Sequence, residues 1–308
     1  MVSSVSMAVE LAGMRCQNPV GTASGTFGAG WQFEGFYDVS QLGFITAKGC
    51  SFEPWEGNPA PRMCEIPSGI MNSVGLANPG IPQFVQQSGA YLSDLSNKGC
   101  RVICQAAGHT LDEYIQAVEA YEEMAPFADA LELNISCPNI ASGGAAMGAT
   151  PEGAASVVKA VRGRTTRPLI VKMAPERVGE VAAALEDAGA DILSLINTIP
   201  GMAIDVKTRK SRLSRPTAGV SGPAIHAIAV RMIWEAHKAS SLPIIGMGGI
   251  FSGEDAAECI LAGATAVAVG TANLVDPLAA PRILDELTTW VESQGVSDIN
   301  ELIGAVAC

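Results

Sequence analysis

Two lysines, Lys48 and Lys172, each stand as the only charge at the end of an apolar run. A lysine is costly to bury unless it meets an anion, and otherwise it snorkels to water. Further runs end on groups that can read a polar ring: Ser24, Gln105, Asn134 with Ser136, and Asn197-Thr198. The last two runs end on Gly248-Gly249 and Gly270-Thr271. Glycine there lets backbone N–H groups approach a phosphate, although a tight turn with positive φ would also call for it. Cys137 precedes Pro138 and a glycine-rich stretch, Ser142 to Gly148. Exposed, such a thiol suits a nucleophile or proton acceptor; buried, it is a small hydrophobe. The second description fits Cys50, Cys64, Cys100, Cys104 and Cys259 better. The set holds no carboxylate pair and no metal-type cluster, which argues against glycoside or metal-assisted hydrolysis. It suits a bound anion or polar heterocycle.

The elements that must position these groups alternate regularly. Apolar, strand-like runs cover Pro19–Ala23, Leu42–Ala47, Arg101–Ala106, Ala130–Ile135, Pro168–Met173, Asp191–Ile196, Pro243–Met247 and Ala266–Gly270. Most are continuous rather than alternating, as parallel strands buried on both faces should be. Helical patterns lie between them at Leu111–Met124, Glu152–Arg162, Glu176–Ala188, Ala224–Ala239, Gly253–Leu261 and Leu278–Glu292. Eight even β/α alternations favour a closed TIM (β/α)8 barrel over an open doubly wound sheet. Gly25-Thr26-Phe27-Gly28-Ala29-Gly30 does not fit the spacing of a dinucleotide fingerprint. Two connections are too long for simple loops: Gly49 to Gly99 between strands two and three, and Asn197 to Gly222 between strands six and seven. Barrel active sites are built from loops at this end of the strands. With no linker or repeat, the expectation is one domain spanning 1–308.

Composition narrows the partners. Hydrophobic residues make up 48% and charged residues 16%, so the chain is not disordered. A net charge of −12 and few aromatic residues argue against nucleic acid and anionic membranes. No secretory leader pattern opens the sequence and no C-x-x-C occurs, which suggests reduced thiols, a cytoplasmic location and no metal site. His109 could reach the mouth, though an ordinary surface or capping histidine is the simpler description; His226 and His237 carry no assignment. The basic loop Asp205 to Arg215, with Lys207, Arg209, Lys210, Arg212 and Arg215, reads equally as a solvated loop or as a segment that docks a partner or closes over an anionic ligand.

Several long motifs, taken together, resemble class 1 dihydroorotate dehydrogenases. They are Glu132-Leu133-Asn134-Ile135-Ser136-Cys137-Pro138-Asn139, Asn72-Ser73-Val74-Gly75-Leu76-Ala77-Asn78-Pro79-Gly80, Ile245-Gly246-Met247-Gly248-Gly249 and Val269-Gly270-Thr271-Ala272-Asn273. The likeness covers almost the whole chain in order. Cysteine at 137 separates it from class 2, which carries serine. The glycine-rich continuation and the segment from Gly201-Met202 to Lys210 resemble the NAD-linked subclass, class 1B.

The resemblance implies FMN across the mouth, with its phosphate on Gly248, Gly249, Gly270 and Thr271 and with Gly222 nearby. Ser24, Lys48, Gln105, Asn134, Lys172 and Ile196 would touch the flavin. Lys48, Asn72, Ser73, Val74, Gly75, Leu76, Asn134, Asn197 and Thr198 would hold dihydroorotate. Cys137, assisted by Lys48, would take the proton from C5 while hydride passes from C6 to flavin N5. At Gln105 the family often has asparagine; glutamine keeps the amide on an arm one methylene longer. The resemblance also implies a partner subunit carrying FAD and a [2Fe-2S] cluster, NAD+ as final acceptor, and a homodimer within a heterotetramer. The alternatives are a flavin subunit like that of dihydropyrimidine dehydrogenase, the fumarate-linked class 1A enzyme, and a non-catalytic flavin-binding protein.

Overall fold

A computed structural model describes residues 5–136 and 147–307. Eight strands close into a parallel barrel: β1 (Val20–Thr22), β2 (Phe44–Thr46), β3 (Arg101–Ala106), β4 (Ala130–Asn134), β5 (Leu169–Lys172), β6 (Ile192–Leu195), β7 (Ile244–Gly246) and β8 (Ala266–Val269). They follow one another in chain order, and β8 pairs with β1. Every residue of β4, β5, β6 and β8 is buried. The continuous apolar runs in the sequence have this cause: side chains on one face fill the barrel and those on the other meet the helices.

The outer helices are α1 (Ile81–Asn97), α2 (Leu111–Met124), α3 (Pro151–Arg162), α4 (Val178–Ala188), α5 (His226–Ala239), α6 (Gly253–Ala262), the short α7 (Ala272–Val275) and α8 (Ala279–Ser293). Their starts are written in capping chemistry. Thr110 accepts a hydrogen bond from the Glu113 amide and Thr150 from that of Gly153. Ser252 and Asp255 cap α6 reciprocally. Two starts lie two residues beyond the sequence expectation. Pro223–Ile225 forms a 3-10 turn ahead of α5, and α4 begins at Val178 after Arg177 in left-handed conformation.

The two long connections are not plain loops. The first contains the whole of α1, whose buried residues Ile81, Phe84, Ser88, Leu92 and Leu95 recur at helical spacing. It also contributes the hairpin Met63–Ile66 and Gly69–Asn72. The second contributes Ile199–Gly201 and Ala218–Ser221. These four segments form one antiparallel sheet, joined where Asn72 faces Gly219 and Ile70 faces Ser221. The sheet strands of the two insertions, 127 residues apart at their nearest between Asn72 and Ile199, therefore support one another beside the mouth. At the opposite end, the hairpin Val9–Leu11 with Met14–Cys16 covers the barrel floor. Arg101, the first residue of β3, donates from Nε to the Arg15 carbonyl at 2.8 Å.

Candidate active site

A cavity of about 1090 Å³ opens at the C-terminal ends of the strands. Ser24 enters it after β1, Lys48 after β2, and Gln105 from β3. Asn134 and Ser136 come from the end of β4, Lys172 from β5, and Ile196, Asn197 and Thr198 from beyond β6. Gly248 and Gly249 follow β7, and Gly270 and Thr271 follow β8. The hairpin arm supplies Asn72, Ser73, Val74, Gly75 and Leu76. All these positions were singled out in sequence, and the fold gathers them around one space. Gly222 does not line the cavity; its carbonyl stands behind Gly249, 2.8 Å from where a Cβ on that glycine would lie. Cys137 lies outside the described residues.

The polar groups are tied together. Gln105 Oε1 accepts from Ser24 Oγ at 2.8 Å and from Asn134 Nδ2 at 3.3 Å. Gln105 Nε2 donates to Glu132 Oε1 at 2.5 Å, and Ser194 Oγ donates to Glu132 Oε2 at 2.6 Å. Ser136 Oγ donates to Asn134 Oδ1 at 2.9 Å and accepts from Asn197 Nδ2. The Thr198 amide donates to Asn197 Oδ1 at 2.8 Å. Tyr114 Oη holds the Asn134 carbonyl at 2.6 Å. The longer arm of Gln105 is thus accounted for: its amide spans β4 and the residue after β1. Glycine at 49 makes room for it, since a Cβ there would stand 2.2 Å from Gln105 Oε1.

Lys172 is only 6% exposed, and among the described residues no group ion-pairs or hydrogen-bonds with its amine. A buried cation without a counterion favours an anionic or electron-rich ligand. In the cradle formed by the last two strands the case rests on Gly270, because the turn alone calls for glycine at the other two positions. Gly248 and Gly249 take φ of 133° and 69°, values that favour glycine. Gly270 has no such constraint, and a Cβ there would meet only Ala23 Cβ at 3.5 Å and Thr26 Oγ1 at 4.0 Å. The protein itself does not demand glycine at 270; close approach of a ligand would. These observations fit a flavin phosphate on the cradle and its ring system toward Lys172. His226, unassigned in sequence, braces the cradle: Nδ1 lies 2.8 Å from the Gly248 carbonyl and Nε2 3.1 Å from Glu258.

Three features escaped the sequence reading. Trp55 lines the cavity and stacks on His109 with centroids 3.9 Å apart. His109 reaches the mouth and is also an exposed residue beside the start of α2, its amide donating to Glu113 Oε2 at 2.5 Å. Glu132 and Ser194 lie buried within the barrel and look like ordinary strand residues in sequence. Leu76 takes a left-handed φ of 53°, uncommon for a bulky residue, while Asn78 Nδ2 holds its carbonyl at 2.9 Å. Among the thiols, Cys50 neighbours Lys48, yet burial pushes it up to about 11. Such a thiol stays protonated near neutrality. Cys64 is half-buried on the hairpin rather than a core residue.

A closed parallel barrel whose mouth gathers a buried lysine with no partner among the described residues, an amide row and two glycine-bearing strand ends defines a (β/α)8-barrel protein with its candidate site at the strand C-termini. The family model described as dihydroorotate dehydrogenase matches residues 6–291. The catalytic subunit of dihydroorotate dehydrogenase B (NAD(+)) from Geotalea uraniireducens is 47% identical over 302 residues, covering 97% of this chain and 98% of the relative. Those from Geobacter metallireducens and Lachnoclostridium phytofermentans are 46% identical with the same coverage. This chain belongs to the dihydroorotate dehydrogenase family.

Proposed function

We propose that this chain is the FMN-bearing catalytic subunit of an NAD-linked dihydroorotate dehydrogenase, oxidising dihydroorotate to orotate in pyrimidine synthesis. The observation that carries this reading is the mouth itself, where Lys172, without a partner among the described residues, and the amides of Asn134 and Asn197 share one cavity with the glycine cradle. FMN, when bound, supplies the hydride acceptor that no side chain can provide. Gly248, Gly249, Gly270 and Thr271 would hold its phosphate through backbone N–H groups. Lys172 would oppose negative charge on its ring system. Ser24, Lys48, Gln105 and Ile196 complete the flavin wall, with Gly222 supporting Gly249 from behind.

Asn72, Asn134, Asn197 and Thr198 match the donor and acceptor edges of the substrate ring, and Lys48 opposes its carboxylate. Ser73, Val74, Gly75 and Leu76 close the substrate side. Dihydroorotate loses a hydride from C6 and a proton from C5; Cys137 accepts the proton. Sequence position supports that last assignment, as does the elimination of Cys50, whose buried thiol is pushed the wrong way for a base. A partner subunit carrying FAD and a [2Fe-2S] cluster would supply the route to NAD+. The relatives named catalytic subunits support a divided enzyme. Among the described residues no helix is long and apolar enough to cross a membrane.

Anaerobic addition of dihydroorotate to the purified, flavin-loaded chain tests the reading. Bleaching of the visible flavin band is expected, with reoxidation by NAD+ only when the partner subunit is present. Bleaching by dihydrouracil but not dihydroorotate would replace the substrate. Rapid reoxidation of the lone chain by fumarate would remove the partner.

A further inference from the structure

The hydrogen bonds across the mouth run in one direction. The Thr198 amide, which can only donate, donates to Asn197 Oδ1. Asn197 Nδ2 donates to Ser136 Oγ, and Ser136 Oγ donates to Asn134 Oδ1. Asn134 Nδ2 donates to Gln105 Oε1, and Gln105 Nε2 donates to Glu132 Oε1. The relay thus starts on a backbone donor beyond β6 and ends on a carboxyl group inside the barrel. Both oxygens of Glu132 accept, the second from Ser194 Oγ. Gln105 and Glu132 are register partners on adjacent strands, and both are 1% exposed.

An amide fits a site in two orientations that differ only in which end donates. The Thr198 amide anchors Asn197 from one side, but the Ser136 hydroxyl beyond it can turn, so without an anchor of their own Gln105 and Asn134 could reverse. We infer that Glu132 is a positioning residue that fixes the donor–acceptor polarity of this row, and through it the face offered to the substrate ring. The inference rests on the function proposed above. With the row so oriented, the side-chain oxygens of Gln105, Asn134 and Asn197 are all engaged inside the relay. Among the described residues nothing accepts the second N–H of Asn134 or of Asn197, and both line the cavity. The mouth therefore presents donors suited to the carbonyl oxygens of a pyrimidine ring, and a reversed row would present acceptors against them. Glu132 itself does not line the cavity.

The experiment compares Glu132→Leu and Glu132→Gln in the flavin-loaded protein, with orotate binding read by calorimetry and folding by thermal unfolding. Glutamine can still accept from Gln105 at its oxygen while its NH2 donates to Ser194 Oγ, so it preserves the relay. Orotate affinity is expected to fall about tenfold or more in Glu132→Leu, and to stay within about threefold of wild type in Glu132→Gln. Gln105→Met breaks the same link with Glu132 in place, so it should match Glu132→Leu and serves if that variant does not fold. A folded Glu132→Leu with wild-type orotate affinity would overturn the inference. So would a Glu132→Gln protein as impaired as Glu132→Leu, because loss of charge or packing would then explain both. Wild-type protein that takes up flavin but no orotate would instead remove the functional reading on which the inference stands.

Discussion

Lys172 is the residue where burial and function pull in opposite directions. An unpaired buried ammonium costs stability, and that cost is recovered only when an anion arrives. Lys172→Met, nearly equal in volume, should therefore leave the flavin-free protein as stable or more stable by about 1 kcal/mol. The same change should weaken FMN or orotate binding about tenfold or more. Thermal unfolding of the apoprotein beside calorimetric titrations measures both, and a destabilised apoprotein would mean that the lysine has a structural partner. Gly270 makes a parallel case. Gly270→Ala should not harm folding, since alanine finds room there. It should lower affinity for FMN far more than for riboflavin, which lacks the phosphate; an equal loss for both would move the phosphate elsewhere. These residues were legible in sequence because a lone charge or a glycine pair ending an apolar run is unusual. Glu132 and Ser194 were not, since a buried polar residue announces itself only when its partners on neighbouring strands are known. Trp55 and His109 likewise meet only through the folding of two separate connections.

At the scale of elements, the barrel strands and most helices could be read directly. Parallel strands are apolar on both faces, and Thr110, Thr150 and Ser252 mark helix starts by side-chain chemistry. The mouth sheet was invisible. Its strands are short, half-buried and broken by glycine and proline, so neither continuous nor alternating patterns stand out. Its pairing, Gly69–Asn72 on Ala218–Ser221, joins parts of the chain that no local pattern connects. Helix α1 did carry a readable apolar stripe, and the length of its connection obscured it. Helix contacts yield a sharper test. A Cβ on Gly253 would lie 2.5 Å from both Glu286 Cβ and the Leu287 amide nitrogen, so α6 and α8 touch through bare backbone. Gly253→Ala should cost about 1–3 kcal/mol in denaturant unfolding, despite alanine's better helix propensity. A neutral result would mean that α8 can shift without loss.

For the molecule as a whole, the thiols set an alkaline limit. Burial pushes Cys50 up to about 11 and Cys16 to about 12 from an ordinary 9.0, and raises Cys100, Cys104 and Cys259 further. Their neutral forms are favoured in the fold, while the unfolded chain ionises from about pH 9. The stability they confer is complete below that pH and is lost as pH rises through 11 to 12. Thermal midpoints should accordingly decline from pH 9 upward. At pH 8 these five cysteines should resist alkylation in the native protein. Peptide mapping after brief iodoacetamide treatment checks this, and labelling of Cys104 or Cys259 without unfolding would contradict the burial.

The floor of the barrel has a further consequence. Ser6 bridges to Asp298 in parallel, and the Gly304 and Val306 amides donate to the carbonyls of Ile260 and Leu261 at the C-terminal end of α6. Helices descend from the mouth to the floor, so the first and last described segments leave the barrel side by side at its far end. A surface anchor or fused reporter attached through either segment would hang below the protein and leave the substrate entrance facing outward. A short linker joining the two would close the chain into a ring without crossing the mouth, so that new ends could be opened elsewhere.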